Sequence, residues 1–198
     1  MNSHAVSNMT EEERGADKTT IFGFWLYLMT DVILFASLFA VYAVLRNNTA
    51  GGPSGADIFG VPLVALETLL LLSSSFMCGL ALLAARAGNR AKVLFSLSVT
   101  FILGACFVGI EAVEFAGLAL EGYGPSRSGF LSAYFTLVGT HGLHVSAGLL
   151  WMLVLAARLY FHDLTRSTMR KLLLMSLFWH FLDIVWIFIF TVVYLLSV

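Results

Sequence analysis

Charge is what this sequence has least of. Asp, Glu, Lys and Arg make up 12% of its 198 residues, where a soluble domain carries about 25%. That supply is too small to clothe a water-soluble fold of this size. A basic excess is missing as well: the formal net charge is −1, so nothing points to nucleic-acid binding. Cysteine is nearly absent. Cys78 and Cys106 both fall inside apolar runs and read as small packing residues, not as a disulfide or metal pair. No Cys-x-x-Cys-His site for covalent haem occurs. No repeat of fixed period and no second domain emerges. Residues 1–20 lack a basic leader region and a small-residue cleavage site, so they read as a retained polar tail.

What is abundant is hydrocarbon. Hydrophobic residues make up 59% of the chain, and the mean hydropathy is +0.89. Five apolar runs stand out, near 21–45, 61–85, 93–118, 130–157 and 172–198. Each is long enough to cross a bilayer core, which takes about 20 helical residues. The expected fold is all-α: one polytopic domain over 21–198, a bundle of five transmembrane helices. Thr49–Ala56 and Gly122–Gly129 are turn-rich loops. Arg86–Lys92 and Arg158–Lys171 are short basic connections. Nine of the eleven Lys and Arg residues fall in the tail and these two connections, whereas Arg46 and Arg127 lie on the opposite side. The positive-inside rule therefore places the N-terminus in the cytoplasm and the C-terminus outside.

The last run carries the most informative residues. Ser176–Phe190 holds His180 and Asp183 near the middle of a span. They are three residues apart and share a helix face. A carboxylate at that depth costs about 2.5–3.5 kcal/mol on insertion scales, so this helix must have neighbours. Counting inward at about 1.5 Å per residue, Asp31, His141 and Asp183 reach similar mid-membrane depths. His144 and His180 lie close by. These five residues form a candidate intramembrane polar cluster. It reads either as a proton or ion path or as interhelical hydrogen bonds that fix packing. Haem ligation would need two histidines facing each other from different helices. The competing reading is a neutral histidine bonded to a carboxylate or a carbonyl. Glu67 lies about 9 Å below the outer surface by the same rise, on a stripe with Leu71, Ser74 and Cys78. It reads as a carboxyl bonded across a cleft or one snorkelling outward. Glu111 and Glu114 share a face near the outer end of the third span and read as carboxylates reaching the headgroups.

Several stretches resemble subunit III of the haem–copper oxidases, and in particular its bacterial bo-type ubiquinol oxidase branch. They are Ile21-Phe-Gly-Phe-Trp-Leu-Tyr-Leu-Met29, Val61-Pro-Leu-Val-Ala-Leu-Glu-Thr-Leu69, Gly109-Ile-Glu-Ala-Val-Glu-Phe115, Ser128-Gly-Phe-Leu-Ser-Ala-Tyr134, Thr140-His-Gly-Leu-His-Val145 and Phe178-Trp-His-Phe-Leu-Asp-Ile-Val-Trp186. They follow the family order through to the C-terminus. Having five spans instead of seven is similar to the quinol-oxidase branch. The resemblance implies tilted helices around a cleft that holds phospholipid, with Glu67 matching the family's membrane-embedded glutamate. It implies an accessory chain in a proton-pumping enzyme of the respiratory chain. Haem and copper would belong to subunit I, with none in this chain. Subunits I, II and IV and phospholipid would be its partners, and the bacterial inner membrane its location. Subunit III of a cytochrome c oxidase is the neighbouring alternative. A small proton-coupled transporter using Asp31 and Asp183 is an alternative of another class. Against it stand the missing inverted repeat and the absence of a helix broken at mid-depth.

Overall fold

A computed structural model describes residues 11–58 and 60–197. Five long helices carry the chain, and no strand occurs among the described residues. They are α1 (Glu11–Leu45), α2 (Val61–Arg86), α3 (Arg90–Leu120), α4 (Gly129–Phe161) and α5 (Arg166–Ile189), which continues as a π-helical turn over Phe190–Leu195. A single helical turn, Gly55–Ile58, precedes α2. All five are long and apolar enough to span a membrane. The protein is therefore a multi-pass membrane protein. The helices overrun the apolar stretches at their polar ends. Hydrophobicity marks only the part that sits in hydrocarbon, while the backbone ladder continues to the next cap.

Those caps follow from sequence. Asn89 accepts a hydrogen bond from Lys92 N at 3.1 Å, Ser128 from Leu131 N at 3.2 Å, and Thr165 from Thr168 N at 3.3 Å. Each satisfies one of the amide donors that a helix start leaves unpaired. Pro62 opens α2, where its missing N–H costs nothing. Between α2 and α3 the chain reverses in three residues. Gly88 takes φ +71° there, a conformation that glycine adopts without strain.

The chain forms two compact units, one ending at Leu34 and one running from Phe35 to the C-terminus. In the first, Tyr27 and Asp31 on α1 share a hydrogen bond. In the second, α2 packs against α3, α3 against α4, and α4 against α5, and α5 returns to α2. The last turn of α1 joins this unit through Tyr42, whose hydroxyl lies 3.2 Å from Ser197 Oγ and 3.4 Å from the Val193 carbonyl. Large apolar side chains such as Phe76, Phe95, Leu143 and Leu150 point outward. In water this would be a liability, whereas in lipid it is the expected surface. The connections are pinned at both ends. Phe130 N donates to the Asn48 carbonyl at 3.1 Å. Arg90 pairs with Asp163 at 3.3 Å and donates to the Tyr160 carbonyl.

Candidate functional site

The interior is built on the aromatic residues of α5. Trp179 is buried and meets three other helices. Its Nε1–H donates to Ser74 Oγ on α2 at 2.8 Å. Its ring lies against Gly104 on α3 and Gly148 on α4, where a Cβ would come within 2.8 Å and 3.0 Å of it. Only glycine lets the indole in at both points. Two turns along, Trp186 repeats the arrangement. Its Nε1–H donates to Thr68 Oγ1 on α2 at 3.0 Å. Its ring meets Phe107 of α3 edge-on at 4.6 Å between centroids and stacks on His141 of α4 at 5.3 Å. A third layer follows at Tyr194, 3.1 Å from the Tyr134 hydroxyl. The seven-residue spacing from Trp179 to Trp186 keeps both indoles on one side of α5. The six-residue spacing from Thr68 to Ser74 on antiparallel α2 runs close to it.

His180 and Asp183 lie beside this spine and meet through a residue the sequence did not single out. Ser75 Oγ is 2.6 Å from His180 Nδ1, and the same hydroxyl bonds the Asp183 carboxyl. A serine hydroxyl has one proton to give. Donated to Asp183, it leaves Ser75 Oγ to accept from the Nδ1–H of His180. Serine, histidine and aspartate together suggest a hydrolytic triad, but the order is wrong. A triad needs the imidazole between hydroxyl and carboxylate. Here the hydroxyl is in the middle, so the histidine cannot be oriented by Asp183 while it activates Ser75.

Near the C-terminal end of α3, Glu111 is buried rather than extended toward the headgroups. Glu67 is fully enclosed, and neither carboxyl has a hydrogen-bond partner among the described residues. Glu67, Glu111 and Glu114 lie close enough to interact electrostatically. Glu114 is tied in by Tyr134, whose hydroxyl donates to Glu114 Oε1 at 3.2 Å. The structure thus brings the three carboxyls toward the Tyr134–Tyr194 layer. Helical stripes could align Glu111 with Glu114, but they carried no signal for Glu67 joining them from another helix.

The histidines do not fit a haem bound by two axial ligands. His141 is boxed in by Phe35, Phe107 and Trp186, at centroid distances of 6.3, 6.0 and 5.3 Å. His144 is 2.8 Å from the Thr140 carbonyl through Nδ1, and its ring lies 5.3 Å from Phe35. His180 turns to Ser75 on α2. His141 and His144 lie on the same helix. Among the described residues, no group of three or more His, Cys, Asp or Glu side chains could hold a metal ion. Asp31 lies in the first unit, beside Tyr27.

What the arrangement offers is an enclosed core whose polar groups mostly join one helix to the next. Comparison with known proteins matches such a chain: the family model for cytochrome c oxidase subunit III covers residues 12–198. The chain belongs to that family. It is 57% identical to the cytochrome bo(3) ubiquinol oxidase subunit 3 of Pseudomonas aeruginosa, across 98% of this chain and 93% of that protein. It is 44% identical to the quinol oxidase subunit 3 of Bacillus subtilis, across 98% and 96%. It is 43% identical to the cytochrome c oxidase subunit 3 of Bacillus sp. (strain PS3), across 98% of each. The chain is thus a haem–copper oxidase subunit III, a non-catalytic component of an oxidoreductase complex.

Proposed function

We propose that this chain is the accessory third subunit of a proton-pumping terminal quinol oxidase, in which quinol oxidation is coupled to reduction of oxygen to water. The observation that carries this reading is near-full-length identity of 57% to a protein named as subunit 3 of a ubiquinol oxidase. The aromatic core supports it: Trp179 and Trp186 use their N–H groups to tie α5 to α2. Its role is to stabilise subunit I and the supply of protons and oxygen to it. Haem and copper lie in subunit I, subunits II and IV complete the complex, and phospholipid occupies a cleft of this subunit. Residues 1–20 face the cytoplasm of a bacterium, and the single domain over 21–198 lies in the inner membrane with its C-terminus outside. Glu67 serves support rather than proton transfer, Glu111 and Glu114 share its environment, and Asp31, His141, His144, His180 and Asp183 serve packing rather than a proton path, with His180 bonded across helices to Ser75.

The test is purification of the chain from its native membrane in mild detergent. Co-purifying haem-bearing subunits and quinol-dependent oxygen consumption are expected, and the isolated chain should give no Soret band. A complex that oxidises reduced cytochrome c instead would favour the second reading, suggested by the relative of that name. A chain that purifies without oxidase subunits would refute both.

A further inference from the structure

A groove of about 450 Å³ runs between α2 and α5. Leu72, Phe76, Gly79 and Leu83 form its apolar walls, and Ser75, His180 and Asp183 also line it. Phe76 and Leu83 are outward-facing, so the groove opens on the lipid-exposed side of this unit. Asp183 and His180 are only half-buried there. Counted from Leu172 along the helix, Asp183 is about 16 Å into the membrane, far from headgroups on either side. An acyl chain filling the groove would have no hydrogen bond to offer, and a carboxyl facing hydrocarbon is unfavourable.

The polar residues themselves state what is missing. Ser75 spends its single proton within the His180–Ser75–Asp183 chain. Asp183 Oδ1 is enclosed and has no hydrogen-bond partner, while the carboxyl oxygen that Ser75 bonds keeps a second lone pair. With Nδ1–H given to Ser75, His180 in its neutral form has only an acceptor, Nε2, left to offer. The groove therefore presents acceptors and calls for a donor at mid-membrane depth. Gly79 adds a steric indication, because no atom lies within 4 Å of the position its Cβ would take. A bare backbone in the wall lets another helix approach closely.

We infer that this groove is the seat of a transmembrane helix from a neighbouring subunit of the oxidase, one that presents a hydrogen-bond donor such as Arg, Lys, Tyr or Ser at mid-depth to Asp183 and His180. The inference rests on the proposed membership of an oxidase complex and adds to it which face docks and by what chemistry. The occupant's donor completes the hydrogen bonding that Ser75 begins. Its apolar flanks cover Phe76 and Leu83.

The experiment uses the assembled complex in native membranes. Phe76 is replaced by photoreactive benzoylphenylalanine, the membranes are irradiated, and the adduct is identified by peptide mass spectrometry. The expected adduct is a transmembrane segment of another oxidase subunit with a donor side chain within one turn of the attachment point. Adducts to lipid only, adducts to a second copy of this chain, or no adduct would each overturn the inference. In parallel, Gly79→Leu fills the groove while leaving Ser75, His180 and Asp183 in the sequence, with its Cβ in space the chain's own fold leaves open. It should leave the chain's membrane level unchanged and cut co-purified partner subunits by about tenfold. Co-purification equal to that of the unaltered chain would also overturn the inference. Phe95→Leu, on an outward-facing position of α3, serves as the control and should change nothing. If the unaltered chain brings down no oxidase subunit, the broader proposal fails. If it does and the Phe76 and Gly79 results are negative, only the docking face fails.

Discussion

The six-membered ring of Trp179 rests on the bare Cα of Gly104, at a distance where a Cβ would lie 2.8 Å from Cζ2 of the indole. Gly148 supports the same ring from α4, and Ser74 holds its N–H from α2. One side chain of α5 thus sets the spacing of three other helices. Association within a bilayer depends on close packing and interhelical hydrogen bonds, because lipid supplies no hydrophobic drive.

Gly104→Ala should therefore destabilise the fold by about 1–3 kcal/mol, the range for an added methyl in a filled core. Gly142→Ala should be nearly silent, since no atom lies within 4 Å of its Cβ position. Thermal unfolding in detergent, followed by intrinsic tryptophan fluorescence, compares the two. Equal stability of both variants would refute the wedge.

The indole hydrogen bonds predict a second pair of effects. Ser74→Ala and Thr68→Val each remove the acceptor of a buried N–H. Each should cost about 1–3 kcal/mol, the penalty for an orphaned donor. Ser74→Thr and Thr68→Ser keep an acceptor and should recover much of the loss. Resistance to unfolding in mixed detergents measures all four variants.

Much of this core was legible in the sequence. The stripe Glu67, Leu71, Ser74 and Cys78 follows from helical spacing, and all four residues are buried. Trp179 and Trp186 share the inner side of α5 for the same reason. What spacing does not carry is the register between helices. Ser73, Ser74 and Ser75 are alike in sequence, yet Ser74 meets Trp179 and Ser75 meets His180 and Asp183. That choice depends on the rotation of α2 against α5, fixed by packing along their whole length. Glu111 looked like a carboxylate able to reach the headgroups because it stands near a helix end. Its burial follows from α4 packing against that face of α3.

Glu67→Gln should leave assembly intact and initial quinol-oxidase turnover within about twofold, well under 1 kcal/mol of barrier. Between Glu67 and Arg86, α2 carries no other carboxyl, histidine or lysine to pass a proton along that helix. Oxygen consumption and proton release in reconstituted vesicles decide the matter. Loss of pumping by an intact complex would make Glu67 a proton carrier.

The nine-to-two division of Lys and Arg predicts a C-terminus outside the cytoplasm. A reporter active only in the cytoplasm, fused after Val198, should stay silent. A strong signal would reverse the orientation or change the number of spans.

The three-residue reversal at Ala87–Asn89 also constrains biogenesis. Fully extended, three residues reach about 10 Å, a third of the hydrocarbon thickness of about 30 Å. Once α2 has entered the bilayer, the start of α3 is held within about 10 Å of the end of α2. The two spans are thus tethered as a helical hairpin, with the basic residues Arg86, Arg90 and Lys92 gathered at its tip. A longer turn would loosen that tether at little entropic cost in the folded chain.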